Sequence, residues 1–404
     1  MSAGHTHGGR LATQERAALR SVPPADTVED PPGLLRQGWA WIGRAIPVVA
    51  TLAVAATIMT AALGVPGLFG TDPPRPQVVA ALPVWNLTVG TRTITHHAES
   101  LSAASPSLYE VAPNGEIVLR PQLEGTAVAE ELAGLRAHGV ALMPIISNTH
   151  GFAWDPGLIQ TILHDPFLVD RHIASIVDLV LEEDFAGIDI DYEELTAADR
   201  DVFSRFIDEL ATSLHAADRM LSVDVFAKDS DAGYDERNLA QDYAALGQAA
   251  DQVRIMAYDW HWQTGPAGPI APANWVDDVL AYAVSEIPEH KVVLGVPTYG
   301  YGWTGEGGRL VSWLQAYGLS QNLGVPVRWD ADAESPSITY RDDDGVDHTI
   351  WFENTYSIAV KLQLAQQYGI GGVFLWLVGD EDDGIWPVVS DFATGETLGP
   401  GVTR

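Results

Sequence analysis

The sequence contains no cysteine and few basic side chains, and each absence excludes a class of protein. Without cysteine there are no disulfides, no thiolate zinc sites and no cysteine nucleophile. Only 22 basic residues stand against 54 acidic ones, which gives a formal net charge of −32. A chain this acidic offers no basic patch that would neutralise phosphates, so we expect no nucleic-acid partner.

Apolar and aromatic residues, in contrast, are plentiful. The chain has 404 residues, of which 47% are hydrophobic, and it holds 13 Trp, 12 Tyr and 10 Phe. This composition predicts a folded protein with a large core, because disordered chains are poor in such residues. The length allows one large domain or two to three ordinary ones.

Charged residues are also absent from residue 45 to residue 71. The apolar run from Ile46 to Gly64 has about the length that spans a bilayer core. We predict one transmembrane anchor over residues 45–70, with residues 1–44 disordered in the cytoplasm and the body outside the cell. A cleaved signal peptide, which would make the protein secreted, and a buried core helix are the alternatives. The orientation follows from five arginines that precede the run: Arg10, Arg16, Arg20, Arg36 and Arg44.

A proline-rich linker, residues 71–77, follows the apolar run. Residues 72–404 hold 17 basic and 50 acidic residues, so the body alone carries −33. Residues 78–392 read as one domain, and residues 393–404 as a tail. In the domain, short apolar runs alternate with amphipathic stretches, which favours an α/β fold of the (β/α)8 barrel type over an open sheet. The predicted strands are Val78–Val84, Leu108–Val111, Ala141–Ser147, Gly187–Tyr192, Leu221–Ala227, Gln252–Ala257, Val292–Val296 and Gly372–Trp376.

Helices are predicted between these strands from apolar residues at three- and four-residue spacing. Thr196 with Asp199, and Asn354 before Thr355, have the pattern of helix N-caps. Residues 304–350 break the alternation and predict a small β-rich insertion between strands seven and eight. The predicted helices are Ala127–Ala137, Pro166–Glu183, Ala197–Ala217, Leu239–Ala249, Asn274–Glu286 and Thr355–Tyr368.

One predicted strand carries a row of carboxyl groups. Side chains alternate faces along a strand, so Asp189, Asp191 and Glu193 share one face while Ile188 and Ile190 share the other. Like charges at this spacing in a barrel interior disfavour full ionisation, and the row is expected to titrate as a coupled group. Such a row can keep one carboxyl protonated for general-acid catalysis. Glu193 is closest to the carboxyl end of the strand, where barrel active sites lie.

This row resembles the Asp-x-x-Asp-x-Asp-x-Glu signature of glycoside hydrolase family 18, the chitinase-like enzymes. Ala186 stands in the first position, where the family has an Asp that supports the row from below. The resemblance covers about residues 77–390 and is greatest to the bacterial branch of spore-cortex and cell-wall N-acetylglucosaminidases. Further matching stretches are Met256–Asp259, Val293–Gly300 and Gly371–Trp376.

The resemblance implies a retaining, substrate-assisted reaction on β-1,4-linked glycans that contain N-acetylglucosamine, either peptidoglycan or chitin-like. It implies that Glu193 is the acid/base, that Asp191 binds the acetamido N–H, and that Asp189 holds a shared proton. Tyr258 would donate to the acetamido oxygen, and Trp376 would stack on the sugar.

Met256, Asp259 and Tyr299 are the other expected substrate-binding residues. For Tyr258, Asp259 and Trp376 the alternative is an ordinary strand-end or core position, and for Met256 and Tyr299 it is core packing. No metal or cofactor is predicted, since the histidine pairs at 5/7 and 96/97 lack a third ligand at useful spacing. The acidic stretch 380–383 is predicted to be a solvated loop, with a calcium site as the minor alternative. Either sugar subsites or packed loops would account for Trp260, Trp262, Trp275 and Trp303.

Two interpretations of function therefore stand. The first is a membrane-tethered glycosidase, and the second is a catalytically inactive sugar-binding barrel at the cell surface. Inactive members of the family usually lose the final Glu or the neighbouring Asp, and this chain keeps both, which favours the enzyme. The sequence makes no prediction about the oligomeric state.

Overall fold

The computed structural model describes residues 75–151, 153–305 and 307–399. The predicted membrane segment, residues 45–70, and the segments on either side of it as far as residue 74 lie outside these ranges. Within them, no helix combines the length and the apolar character needed to cross a bilayer.

Strands and helices alternate along most of the described chain. The strands are β1 Gln77–Leu82, β2 Ala103–Pro106, β3 Tyr109–Val111, β4 Ile117–Leu119, β5 Ala141–Leu142, β6 Ile145–Ser147, β7 Thr149–His150, β8 Ala153–Trp154, β9 Gly187–Asp191, β10 Met220–Phe226, β11 Gln252–Met256, β12 Val292–Pro297, β13 Tyr299–Thr304, β14 Gly307–Ser312, β15 Arg328–Asp330, β16 Ser335–Arg341, β17 Asp347–Phe352 and β18 Gly372–Trp376. The helices are α1 Leu87–His96, α2 Val128–Ala137, α3 Pro156–Leu163, α4 Pro166–Glu182, α5 Arg200–His215, α6 Glu236–Leu239, α7 Tyr243–Ala249, α8 Ala273–Glu286, α9 Trp313–Leu323, α10 Thr355–Tyr368 and α11 Ile385–Thr394.

The barrel strands of the main sheet are parallel, and the sheet curls on itself. Its order around the curl is β1, β2, β5 with β6, β9, β10, β11, β12 and β18, and β18 pairs again with β1. The segments β5 and β6 are halves of one strand that bridges β2 and β9: Met143 N–H donates to Ala104 O at 2.9 Å, and Asp189 N–H donates to Pro144 O at 3.0 Å. The sheet is thus consistent with the predicted (β/α)8 barrel.

Two apolar layers hold the curled sheet. The outer layer lies between the strands and the surrounding helices and includes Ile188 and Ile190, which are fully buried. The inner layer fills one half of the lumen with side chains from β1, β12 and β18, among them Val79, Val293 and Phe374. The inward positions of β9, β10 and β11 are mostly polar instead, with Met256 as an apolar exception, and this half of the lumen holds the candidate site.

The segment between β12 and β18 forms a separate small sheet. Its strand order is β14-β13-β17-β16-β15, entirely antiparallel. The helix α9 packs on it over a small apolar core that includes Ile338, Ile350 and Phe352. The predicted insertion of residues 304–350 is therefore somewhat larger, beginning at Tyr299, and it contains a helix that the sequence interpretation left out.

Several predicted elements agree with the structure, and one strand was wrong. The N-cap pattern at Thr196 and Asp199 forms a capping box, and the Asn354 side chain accepts from Tyr356 and Ser357 N–H at 3.1 Å. The predicted strand Leu108–Val111 is not a barrel strand; its residues 109–111 form β3, which pairs with β4 in a hairpin and adds to β6 at the edge of the sheet. The second barrel strand is Ala103–Pro106. Its small residues and terminal proline carry little of the β-propensity by which strands are predicted.

Candidate active site

The carboxyl row on β9 points into the lumen as predicted. Gly187 begins the strand where a side chain has no room, since a Cβ there would lie 2.3 Å from Met220 O. Asp189 is fully buried at the base of the row, and Asp191 ends the strand. Glu193 lies two residues beyond the strand end, partly exposed at its carboxyl edge.

The backbone of Glu193 is fixed by a buried amide from the neighbouring strand. Asn148, which is fully buried after β6, accepts from Glu193 N–H at 2.9 Å and donates to Glu193 O at 2.9 Å. These two hydrogen bonds clamp the backbone and so set the direction of the Glu193 side chain at the edge of the barrel. Sequence analysis missed Asn148, because only the pairing of β6 with β9 brings the two residues together.

Asp189 is paired with a cation at the base of the lumen. Arg254 Nη1 on β11 donates to Asp189 Oδ2 at 2.5 Å, and the Ser222 hydroxyl on β10 donates to Asp189 Oδ1. Arg254 also donates to Ser105 Oγ at 2.8 Å and to Gln252 Oε1 at 3.1 Å. Burial raises the pKa of Asp189, while Arg254 and Ser222 act in the opposite direction. Both oxygens of Asp189 are thus occupied by donors.

Asp191 is in a different environment. Burial raises its pKa well above the usual range, and the neighbouring Glu193 and Asp189 act in the same direction, whereas Arg120 opposes them. Its Oδ1 is buried and has no hydrogen-bond partner among the described residues. Arg120 reaches this level of the lumen through Ser147, to which its Nη2 donates at 2.5 Å.

Glu193 has the electrostatics of a general acid. Burial raises its pKa to about 8, the neighbouring Glu194 adds to this rise, and Arg237 opposes it. Arg237 donates to Glu194 Oε1 at 2.9 Å. At neutral pH the carboxyl therefore retains a proton that it can donate.

The end of β11 supplies the other predicted polar residues. Tyr258 is partly exposed in the lumen and its pKa is raised well above the usual range by burial, with nearby Asp224 and Asp191 acting the same way. Asp259 accepts from the hydroxyls of Tyr299 at 2.6 Å and Tyr301 at 3.2 Å. Tyr299 is buried behind Asp259, so it is in position to hold that carboxyl.

The apolar predicted residues border the inner apolar layer. Met256 ends β11 and Trp376 ends β18; both are partly exposed and pack on the inner apolar layer. The four tryptophans after strands six and seven divide into two pairs. Trp260 and Trp262 are half-exposed, whereas Trp275 and Trp303 are buried and pack the loops.

Three strand ends share an unusual backbone feature. Glu193, Tyr258 and Trp376 are each followed by a non-glycine residue with positive φ: Glu194 at 60°, Asp259 at 58° and Leu377 at 91°. This conformation costs free energy for residues with a Cβ and concentrates at functional sites. Its recurrence after these three residues supports a shared role for them at the carboxyl edge of the barrel.

Asp224 is a candidate site residue that the sequence interpretation did not select. It lies on β10, inside the lumen, and only 6% of it is exposed. Burial raises its pKa well above the usual range, with Asp189 and Asp191 acting the same way and Arg254 opposing. The alternation Ser222-Val223-Asp224 was a signal that could have indicated an inward carboxyl.

Comparison with known proteins gives a consistent result. Residues 124–382 match the family described as Glycosyl hydrolases family 18. The chain is 32% identical to the cortical fragment-lytic enzyme of Bacillus anthracis over 256 residues, which are 62% of this chain and 59% of that enzyme. It therefore spans about three fifths of that relative's length.

Two solved structures have the same fold. The spore cortex-lytic enzyme SleL of Bacillus cereus superposes with a TM-score of 0.73 at 28% identity, covering 80% of this chain and 76% of that one. A chitinase from Chromobacterium violaceum superposes with a TM-score of 0.73 at 30% identity, covering 78% of this chain and 98% of that one.

Proposed function

Because this chain belongs to glycosyl hydrolases family 18, we propose that it cleaves β-1,4-linked glycans that contain N-acetylglucosamine, of peptidoglycan or chitin type. The single observation that carries the proposal is the position of Glu193 at the carboxyl edge of β9, above an inward Asp191 and beside Tyr258. The names of the cortex-lytic relatives support peptidoglycan as the first polymer to test.

The proposed reaction uses the acetamido oxygen of the substrate as nucleophile. Glu193 donates its proton to the glycosidic oxygen as the bond to the leaving sugar breaks, and the acetamido oxygen bonds to the sugar's anomeric carbon. Asp191 accepts a hydrogen bond from the acetamido N–H, which stabilises the positive charge on the cyclic intermediate. Tyr258 donates its hydroxyl to the acetamido oxygen, and Trp376 lies against the apolar face of the ring.

In the second half of the reaction, Glu193 acts as base. Its carboxylate takes a proton from water, the water oxygen bonds to the anomeric carbon, and the acetamido group is released. Two displacements at one carbon retain its configuration. The product anomer measured by NMR immediately after cleavage is therefore expected to match that of the substrate.

The decisive assay incubates the full chain with purified peptidoglycan and with chitooligosaccharides and measures new reducing ends. We expect cleavage by the wild type, and a loss of about 100-fold or more in Glu193→Gln, since an amide N–H is too weak an acid to protonate the glycosidic oxygen. Glu209→Gln, the same change at an exposed position on α5, is the matched control. Binding of either glycan without new reducing ends would instead indicate an inactive sugar-binding barrel.

We also propose that the body acts outside the cytoplasm, held by residues 45–70. The support comes from the sequence alone: the charge-free run and the five arginines before it. Membrane fractionation with N-terminal sequencing tests the proposal. A mature protein that begins near residues 65–72 would contradict the anchor and support secretion.

A further inference from the structure

We propose that Asp224, and not Asp189, is the proton-sharing partner of Asp191. The inference rests on the proposed function and assigns to this chain a positioning residue on β10. It follows from three features of the lumen: what occupies Asp189, where Asp224 lies relative to Asp191, and which buried oxygens are left without a donor.

Both carboxyl oxygens of Asp189 already accept hydrogen bonds at the base of the lumen. Arg254 donates to one of its oxygens and Ser222 to the other, and Arg254 is itself fixed by Ser105 and Gln252. Burial raises the pKa of Asp189, but the geometry of a guanidinium on one oxygen and a hydroxyl donor on the other favours the ionised carboxylate. A shared proton on Asp189 would displace one of these two donors, so another carboxyl is better suited to hold it.

Asp224 meets Asp191 on the same level of the barrel. The strands β9 and β10 are parallel neighbours in a register that pairs Ser222 with Asp189 and Val223 with Ile190. The next inward pair along both strands is Asp224 and Asp191. Since the Ser222 hydroxyl bonds Asp189 across the same two strands, side chains at this face of the pair point into one space.

Each of the two carboxyls has one buried oxygen that lacks a hydrogen-bond donor within the described ranges. Oδ1 of Asp191 and Oδ1 of Asp224 are both buried, and neither has a hydrogen-bond partner in the part of the chain that the structure describes. Two adjacent buried carboxylates would repel each other, and a single proton held between them removes the repulsion and gives both oxygens a partner. Burial raises the pKa of both groups, and the charge of Asp191 acts in the same direction on Asp224, which supports a proton there at neutral pH.

The remaining charged and titratable groups around the pair lie on both sides of it. Asp189 and Glu193 face it from β9 and its extension, and Arg254 and Tyr258 from β11 and its extension. Arg120, which also interacts with the buried Glu110, acts on Asp191 from the β6 side. The two arginines flank the carboxyl pair. Their positive charge favours a pair that holds one proton and one negative charge over a pair that holds two protons and is neutral.

The proposed proton movement changes only O–H bonds. Before substrate binds, the proton lies on Asp191 and is donated to Asp224. When the acetamido N–H approaches, Asp191 releases the proton to Asp224, becomes a carboxylate, and accepts the hydrogen bond from the substrate. The proton returns when the product leaves. Asp224 does not touch the sugar and acts through Asp191.

The test compares Asp224→Asn with Asp208→Asn, the same change at an exposed position on α5. We expect Asp224→Asn to lower kcat by about tenfold or more with little change in KM, because it contacts no substrate. Both limbs of its pH–rate profile should move to lower pH, because Asp191 and Glu193 each lose a neighbouring negative charge. An unchanged profile in a folded Asp224→Asn would overturn the inference. Ser222→Ala removes a hydrogen-bond donor from Asp189, so a profile that moves in this variant but not in Asp224→Asn would also overturn it.

Infrared spectroscopy of the wild type gives a second measurement that needs neither turnover nor a folded variant. We expect a protonated aspartic acid signal that persists at neutral pH in protein labelled with ¹³C at the Asp carboxyl. The absence of such a signal would also overturn the inference. If the wild type cleaves no glycan but the infrared signal is present, the proposed function fails while the shared proton stands.

Discussion

The raised pKa of Glu193 sets the pH at which the proposed general acid is lost. With a pKa of about 8, the carboxyl is protonated in about nine molecules in ten at pH 7 and about one in ten at pH 9. An ordinary Glu would be protonated in fewer than about one molecule in a hundred at pH 7. We therefore expect kcat/KM, which reports the free enzyme, to fall about tenfold per pH unit above pH 8.

Two neighbours of Glu193 allow this reasoning to be tested in both directions. Glu194 raises the pKa of Glu193, so Glu194→Gln should move the alkaline limb to lower pH. Arg237 lowers that pKa, so Arg237→Gln should move the limb to higher pH. The two residues form a partly exposed ion pair at 2.9 Å, and losing such a pair costs at most about 1 kcal/mol. Both variants should therefore fold.

The assay measures kcat/KM from reducing ends between about pH 5 and about pH 10 for the wild type, both variants and Glu209→Gln. The control should superpose on the wild type, because its substitution lies on the exposed face of α5. A wild-type alkaline limb in the ordinary carboxyl range would refute the assignment of Glu193. Limbs that move in the same direction in both variants would refute the electrostatic explanation.

Three further expectations follow from buried contacts. Asn148→Ala removes the clamp on the backbone of Glu193 and should lower kcat while the fold persists; unchanged kcat would show that the clamp has no catalytic role. Lys361→Met leaves Glu353 buried without its 2.8 Å partner and should lower the free energy of unfolding by about 3–5 kcal/mol in urea, with recovery on adding Glu353→Gln. Burial holds the pKa of His172 at about 4, so about 3 kcal/mol of stability should be lost as pH falls from 6.5 to 4, because only the unfolded state binds the proton there. His172→Gln should remove that part of the acid slope, and an unaltered slope would contradict the burial of a neutral imidazole.

The sequence was sufficient for features that depend on local pattern. The alternation in residues 187–192 predicted both the inward carboxyls and the outward isoleucines of β9. The cap at Asn354 follows from its amide oxygen, which accepts from two N–H groups of the first turn of α10. Barrel strand β2 was missed because Ala103–Pro106 has neither a hydrophobic run nor branched side chains, and it is a strand because it pairs with β1 and β5.

Features that depend on register between distant strands were not predictable in the same way. Arg254 lies 65 residues from Asp189, and no local pattern indicates that the two are paired. The alignment of β9, β10 and β11 determines which residues meet at the base of the site. Asp189, which was predicted to share a proton, is held by Arg254. Asp224, which was overlooked, lies in register with Asp191.

The division of the lumen connects these observations to the proposed chemistry. Burying carboxyls with arginines costs desolvation that the ion pairs do not fully repay, and a barrel interior is ordinarily filled with branched apolar residues. The half formed by β1, β12 and β18 follows that rule, and the half formed by β9, β10 and β11 departs from it at most of its inward positions, with Met256 as an apolar exception. The departure lies directly beneath Glu193 and Tyr258, while Trp376 ends the apolar half. A sugar bound across this boundary would present its acetamido group to the charged half and its ring face to Trp376, which is the orientation that the substrate-assisted reaction requires.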